Sequence, residues 1–232
     1  MNFEELKKES LKNNIVLTDE MIEKYDRYAD LLKEWNEKIN LTAIVEKEEV
    51  IEKHFFDSLL LLKYISDCKN LADIGTGAGF PGMVIAIARS DIEVTLIEPT
   101  GKRCTFLEEV KNTLGLSNVT IVNKRAEECI TIYREMFDVV TARAVANLQV
   151  LSELCIPFVK INGVFISMKG SQGEEETALA KHALAELGSS APIVEKEDLP
   201  DGAKRVFVIC KKAKKTPMKY PRAYAKIKKK PL

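Results

Sequence analysis

The chain has 232 residues, of which 46% are hydrophobic and 30% charged, proportions typical of a soluble globular protein. No apolar run approaches the roughly 18 residues that a membrane span requires, and the opening MNFEELKKESLKNN is too polar for a secretory signal. We therefore expect a cytoplasmic protein with no membrane partner. Formal net charge is zero, but residues 211–232 contain ten basic and no acidic residues, which leaves 25 basic and 35 acidic residues in the first 210.

Cysteine usage argues against a disulfide framework and against a structural zinc site. The chain has five cysteines, an odd number, and none of them forms a C-x-x-C pair. Free cysteine is usually buried as a small apolar residue. We therefore expect no metal and five buried thiols, at Cys68, Cys104, Cys129, Cys155 and Cys210.

Residues 1–66 are predicted to form a helical cap, because they carry no strand pattern. Thr18 or Asp19 is a suitable N-cap for a helix. Apolar side chains then recur at helical spacing, at Ile22, Tyr25, Ala29, Leu32 and Trp35. A second helical run is expected over residues 46–62.

Residues 67–212 alternate between short apolar runs and helical stretches, which predicts a parallel sheet with helices on both faces. Strands are expected over residues 71–74, 94–97, 119–122, 137–141, 164–168, 193–195 and 205–210. Helices are expected over residues 81–89, 102–114, 126–134 and 147–159. The last two strands are joined by KEDLPDGAK, which is too short for a crossover helix, so they should pair antiparallel. The expected fold class is α/β, with a seven-stranded, mostly parallel sheet, the N-terminal cap and a basic tail over 213–232.

The stretch DIGTGAGFPG, residues 73–82, follows the first predicted strand and leads into a helix. Glycines let a backbone approach a ligand closely, and residues 77–82 match the G-x-G-x-x-G pattern of dinucleotide-binding loops. Two ligands compete for this loop. A dinucleotide carries two phosphates, whereas S-adenosylmethionine (SAM) carries a sulfonium, an amino-acid group and no phosphate.

Asp73, at the end of the strand, favours SAM over a dinucleotide. A carboxylate about 4 Å from a phosphate charge would be repelled by roughly 4 kcal/mol at an effective dielectric of 20, whereas an ammonium or sulfonium would be attracted. The alternative is that Asp73 only ties the turn through backbone amides. Glu98 ends the second strand and can accept hydrogen bonds from ribose hydroxyls of either ligand.

Three further segments follow later strands at the same edge of the predicted sheet. Ala126 and Glu127 could read an adenine edge, or form an ordinary helix start with acids in its first turn. Arg143 and Lys169 follow the fourth and fifth predicted strands. The planar guanidinium of Arg143 suits a phosphate or a base edge. We predict that both residues position cofactor and substrate.

Two other groups of residues admit a functional and a structural interpretation. His54 and Asp57 are three residues apart on a predicted helix, and so share a face; they are either an acid–base pair or a structural hydrogen bond. The basic tail either meets RNA phosphates and bases or serves solubility and folds back on the sheet. Its candidate RNA-binding residues are Tyr220, Arg222, Lys226 and Lys228.

Together these segments resemble the bacterial ribosomal RNA small-subunit methyltransferase G family, also called glucose-inhibited division protein B. The resemblance rests on DIGTGAGFPG with Glu98, on RAE and TARAVA, on WNEKINLTAI and HFFDSLLLL, and on the tail KYPRAYAKIKKKPL. It covers nearly the whole chain. The glycine motif alone is shared by many methyltransferases, whereas the combination is specific.

The resemblance implies a Rossmann-like class I SAM-dependent methyltransferase that modifies N7 of one guanine in small-subunit ribosomal RNA, near the decoding centre. We expect the RNA partner within the ribosomal subunit, and free RNA stays open as the alternative substrate. The resemblance places Gly75 and Phe80 in the SAM loop, to which the glycine pattern adds Gly77 and Gly79. It also places Glu98 at the ribose and Ala126 with Glu127 at the adenine. It places Arg143 beside the cofactor, where the substrate enters the site. Three alternatives stay open: a SAM enzyme with another substrate, an RNA-binding assembly factor with a vestigial cofactor site, and a dehydrogenase.

Overall fold

The computed structural model describes all 232 residues and contains one seven-stranded sheet in the order β3-β2-β1-β4-β5-β7-β6. All seven predicted strands are present. The strands are β1 (Asn70–Ile74), β2 (Glu93–Ile97), β3 (Val119–Val122), β4 (Phe137–Arg143), β5 (Val159–Lys169), β6 (Ile193–Asp198) and β7 (Lys204–Lys211). The expected fold class is confirmed.

The pairing directions follow the predicted pattern. Strand β4 runs parallel to β1 and to β5, and β2 runs parallel to β3. Strand β7 is antiparallel to both β5 and β6. The short polar link between β6 and β7 leaves no room for a crossover helix, so the chain turns back on itself.

The four helices predicted between the first five strands are present. Thr18 is the N-cap of the helix that begins at Asp19, its side chain accepting from the Met21 amide. The helices are α1 (Phe3–Lys12), α2 (Asp19–Asn36), α3 (Lys47–Val50), α4 (Asp57–Leu59), α5 (Gly82–Ala88), α6 (Gly101–Thr113), α7 (Ala126–Tyr133), α8 (Leu148–Cys155), α9 (Gly173–Glu186) and α10 (Tyr224–Lys229). The second predicted helical run is composite, because a π-helix over Ile51–Phe56 joins α3 to α4 and a 3₁₀ helix follows over Leu60–Tyr64.

Contacts divide the chain into two compact units, each formed from two segments. The first unit contains Met1–Lys69 and Thr76–Asn123, and the second contains Asn70–Gly75 and Lys124–Leu232. The predicted boundaries at residues 66 and 212 stay a prediction. All five cysteines are free and buried, as expected, and none of the helices has the length and apolarity to cross a membrane.

Within the second unit, the basic tail is anchored rather than loose. Ile227 of α10 is fully buried. Arg222 holds the fully buried carboxylate of Glu153, donating from Nε at 2.8 Å and from Nη2 at 2.6 Å. Gln149 donates to the Leu232 carbonyl at 3.0 Å. The tail therefore folds back on α8, while its lysine side chains are exposed to solvent.

Candidate functional site

The glycine loop of the first unit is closed by the Glu98 carboxylate. Glu98 follows β2 directly and is 2% exposed. Its Oε2 accepts from the Gly77 amide at 3.0 Å, and its Oε1 accepts from the Thr100 amide at 2.9 Å. The structure thus brings together two of the predicted cofactor residues, Gly77 and Glu98, in one hydrogen-bonded turn.

Gly77 and Gly79 adopt positive φ angles for different reasons. A Cβ on Gly77 (φ +62°) would meet no atom within 4 Å, so the loop leaves open space there. A Cβ on Gly79 (φ +99°) would overlap the Tyr28 hydroxyl and approach Met83 Cβ to 2.9 Å. Gly79 is therefore required by the close packing of α2 against the loop, whereas no protein side chain or backbone fills the space beside Gly77.

Phe80 belongs to an aromatic cluster rather than to an exposed binding surface. Its ring is 5% exposed and stacks on the His54 ring at 4.4 Å and on Tyr28 at 5.6 Å. The Tyr28 hydroxyl donates to the Ala78 carbonyl. The cluster therefore supports the backbone of the glycine loop.

His54 lies on the π-helix and both of its ring nitrogens have partners. Nε2 lies 3.0 Å from the Thr42 hydroxyl, and Nδ1 lies 3.2 Å from the Lys53 carbonyl. Asp57 is fully buried one turn further on. The surroundings of His54 favour the structural interpretation, in which it ties the segment around Thr42 to the aromatic cluster.

In the second unit, Asp73 is fully buried on β1 and stands in register with Thr141 of β4. Burial raises the pKa of the Cys155 thiol well above its usual value, and the negative charge of Asp73 raises it further. A Cβ on Gly75, at the end of the same strand, would lie 2.8 Å from Val145 Cγ2. Gly75 therefore lets the segment after β4 pass close to the end of β1.

Lys169, at the end of β5, is 7% exposed and already has two partners. Its ammonium donates to the Ala146 carbonyl at 2.5 Å and pairs with Glu176 of α9 at 2.8 Å. Glu176 in turn accepts from the Leu148 amide at 2.7 Å. This network holds the loop that follows Arg143.

Ala126 and Glu127 begin α7, where Arg125 is the N-cap residue. Ala126 is 7% exposed, and the Glu128 carboxylate accepts from the Arg125 amide at 3.2 Å. The Arg125 guanidinium lies 5.7 Å from the centroid of the Tyr224 ring of α10. The residue that precedes Ala126 and Glu127, the pair predicted at the adenine, thus contacts the tail within one unit.

The four predicted RNA-binding residues of the tail differ in their surroundings. Tyr220 is 5% exposed and donates to Glu186 at 3.1 Å, and Arg222 is held by Glu153. Lys226 and Lys228 are exposed on either side of the buried Ile227. The first two hold the tail in place, and the last two remain available to a partner.

Sequence patterns did not predict two carboxylates that organise the second unit, the fully buried Glu153 and the partly exposed Glu176. A signal was present for Glu153, the one charged residue in the otherwise apolar or neutral helix LQVLSELC. A charged side chain is almost never fully buried unless it is paired, and the available partner was Arg222, which the sequence analysis assigned to RNA binding.

Two solved structures with similar folds are described as methyltransferases. A 16S rRNA (adenine(1408)-N(1))-methyltransferase variant from Catenulisporales acidiphilia, with cosubstrate SAM, has a TM-score of 0.54 at 15% identity, covering 64% of this chain and 87% of that one. A SAM-dependent O-methyltransferase from Thermotoga maritima has a TM-score of 0.53 at 16% identity, covering 80% of this chain and 72% of that one. At these identities the likeness shows the fold alone.

Sequence comparison reaches further. A relative from Clostridium perfringens (strain 13 / Type A), named ribosomal RNA small subunit methyltransferase G, is 46% identical and covers 99% of this chain and 98% of its own. One of the same name from Lactococcus lactis subsp. cremoris (strain MG1363) is 49% identical over 90% of each chain. The family profile described as rRNA small subunit methyltransferase G matches residues 21–198. The chain belongs to the rRNA small subunit methyltransferase G family.

Proposed function

We propose that this enzyme transfers a methyl group from SAM to N7 of a guanine in small-subunit (16S) ribosomal RNA, acting in the bacterial cytoplasm on RNA within the ribosomal subunit. The observation that carries the cofactor assignment is the open space at Gly77 beside the Glu98 carboxylate. The RNA assignment is supported by the names of relatives that match nearly the whole chain.

The residues of the glycine loop fit SAM. A carboxylate offers about four acceptor positions, and the Gly77 and Thr100 amides occupy two of those on Glu98. The other two suit the two ribose hydroxyls of an adenosine. When bound, SAM supplies an electrophilic methyl group on its sulfonium sulfur. Ala126 and Glu127 would then hold the adenine.

Asp73 supports SAM over a dinucleotide by its charge. Asp73 is fully buried, so a carboxylate charge at this position is screened little by salt. Such a charge disfavours a pyrophosphate and favours an ammonium or a sulfonium. Asp73 therefore acts in this proposal as the electrostatic partner of the cationic end of SAM, with Gly75 following it in the chain.

The reaction at N7 needs no general base, since N7 carries a lone pair and no proton. The chain has to orient the guanine, exclude water from its N7 acceptor and hold the cofactor loop rigid. Arg143 and Lys169 serve as positioning residues. His54 has partners on both ring nitrogens and is stacked on Phe80, which suits a fixed support rather than a proton carrier.

The exposed lysines of the tail bind the phosphates of the RNA backbone in this proposal. Lys226 and Lys228 project from a helix whose buried face is fixed by Ile227. Arg222 and Tyr220 contribute to RNA binding by holding that helix in place. Phosphate contacts from such lysines add affinity that falls with salt and carry no sequence information.

The cofactor assignment is tested by a matched pair of glycine substitutions. Gly115 has φ +63°, close to the +62° of Gly77, and a Cβ there would also meet no atom within 4 Å. Gly77→Ala and Gly115→Ala therefore carry the same backbone strain of roughly 1–2 kcal/mol. We expect Gly77→Ala to lose SAM binding by calorimetry and Gly115→Ala to keep it.

Equal SAM affinities in the two variants would contradict the placement of the cofactor at this loop. Transfer of tritium from methyl-labelled SAM to small subunits, measured on the same preparations, reports the reaction itself. A wild-type protein that binds SAM but labels no RNA would point to another methyl acceptor. NADH binding in place of SAM would revive the dehydrogenase alternative.

A further inference from the structure

A basic cavity of about 390 Å³ lies in the first unit, outside the residues assigned above to the cofactor. It is formed by the segment that follows α2 and by the first turn of α6. Its lining contains three cationic side chains, one amide and no carboxylate, and consists of Lys38, Ile39, Asn40, Thr100, Lys102 and Arg103.

The nearest carboxylates only partly offset this positive charge. Lys38 pairs with Glu34 at 2.9 Å on the exposed surface, where such a pair is weak. Arg103 lies 3.8 Å from Glu98, whose two oxygens already accept backbone amides. Lys102 is exposed and makes no ion pair. The cavity therefore has an excess of cations and a volume that accepts a hydrated anion or a phosphate with its sugar.

The backbone adds to the positive potential. The first turn of α6 has no acidic residue, and Thr100 makes no side-chain cap. A 13-residue helix directs a partial positive charge towards this end. Asn40 adds an amide that can donate hydrogen bonds.

We infer that this cavity binds a phosphodiester of the RNA substrate and so sets the register of the RNA relative to the cofactor loop. The inference rests on the proposed function. Thr100, in the cavity lining, donates to Glu98, and Glu98 accepts from the glycine loop. A phosphate fixed here lies next to the loop that holds SAM, which is where register matters most, because phosphate contacts orient a nucleic acid on a protein.

The test removes two of the cations and compares the result with the loss of a lysine elsewhere on α6. Lys111 lies nine residues after Lys102 on the same helix, about 13 Å along its axis, and does not line the cavity. The variants are Lys38→Ala/Lys102→Ala and, as control, Lys111→Ala. The readouts are affinity for a small-subunit RNA fragment at several salt concentrations, SAM affinity without RNA, and thermal melting.

For the double variant we expect roughly tenfold weaker RNA binding, as for the loss of a hydrogen bond to a charged group. The slope of log affinity against log salt should fall by about 0.7, one phosphate on single-stranded RNA. SAM affinity and melting temperature should equal those of the control. RNA affinity and slope equal to those of Lys111→Ala would overturn the inference.

Two other results would also overturn it. Weaker SAM binding in the double variant would mean that the cavity serves the cofactor, and binding of a free mononucleotide that the double variant loses would mean a nucleotide site. A separate measurement, methyl transfer by the wild-type protein, tests the proposed function itself. A wild-type protein that transfers no methyl group to small subunits refutes the reaction, whereas an active wild type with an unaffected double variant refutes only the phosphate site.

Discussion

Replacing Arg222 by alanine should destabilise the protein through a residue 69 positions away in the chain. Arg222 holds Glu153 with its backbone amide at 2.8 Å, with Nε at 2.8 Å and with Nη2 at 2.6 Å. Glu153 is 0% exposed, whereas the Arg222 side chain is 25% exposed. The substitution removes the guanidinium and leaves a buried carboxylate with one backbone donor.

Removing one partner of a buried ion pair typically costs 3–5 kcal/mol, because the other charge stays buried. Arg222 is partly exposed and its backbone amide remains, so the lower end applies, about 3 kcal/mol. For a chain of this size, each kcal/mol shifts the melting temperature by about 2–4 °C. We therefore expect a melting temperature lower by about 6–12 °C, measured by circular dichroism.

Two further variants separate the buried charge from the lost packing. Glu153→Leu/Arg222→Met removes both charges and should recover most of the stability, because apolar replacement of a whole buried pair is often neutral. Arg222→Lys keeps a charge but cannot form the bidentate fork, and should fall between wild type and alanine. A melting temperature for Arg222→Ala within 1–2 °C of wild type, a shift of under about 1 kcal/mol, would refute the reasoning.

Three more predictions follow from other parts of the structure. Lys226→Ala/Lys228→Ala should keep SAM affinity and lower the salt slope of RNA binding by up to about 1.4; an unchanged slope would assign these lysines to solubility. Burial lowers the pKa of Lys212 to about 8 from 10.5, so the unfolded chain binds more protons between those values and stability rises with pH there. Urea unfolding at pH 8 and 9.5 should show wild type gaining about 2 kcal/mol relative to Lys212→Met; equal gains would contradict the burial argument. The single-turnover methylation rate should be nearly independent of pH from 6 to 9. A bell-shaped pH–rate profile in wild type, with one limb missing in His54→Ala, would show that His54 transfers a proton.

Local patterns were sufficient to predict the strands, because the buried runs are apolar and are bounded by turn residues. Strand β3 coincides with its predicted span, whereas β5 begins five residues before its predicted start at residue 164. The early part, residues 159–163, contains Lys, Asn and Gly, which disfavour strands locally. It is extended because Val159 pairs with Phe137 of β4, and because the Asn162 amide and the Gly163 carbonyl bond to the backbone of Lys212, just after β7.

The candidate site was harder to predict, because the sequence gives residue types but not their neighbours. The glycine loop and Glu98 follow from spacing alone, and the structure joins Gly77 to Glu98 at 3.0 Å. Gly79 has to be glycine because a Cβ there would overlap Tyr28, which lies 51 residues earlier in the chain. No local sequence pattern indicates that contact. The anchoring of Arg222 likewise depends on Glu153, a distant residue.

The central claim is methylation at guanine N7, and the most direct measurement is to identify the methylated nucleoside. Small subunits and naked RNA from a strain that lacks the enzyme are treated with wild-type protein and labelled SAM, and the RNA is then digested to nucleosides and separated by mass spectrometry. We predict one labelled product, 7-methylguanosine, recognised by the fixed positive charge that N7 methylation creates, and none with Gly77→Ala. Label in another methylated nucleoside, or in protein, would contradict the account.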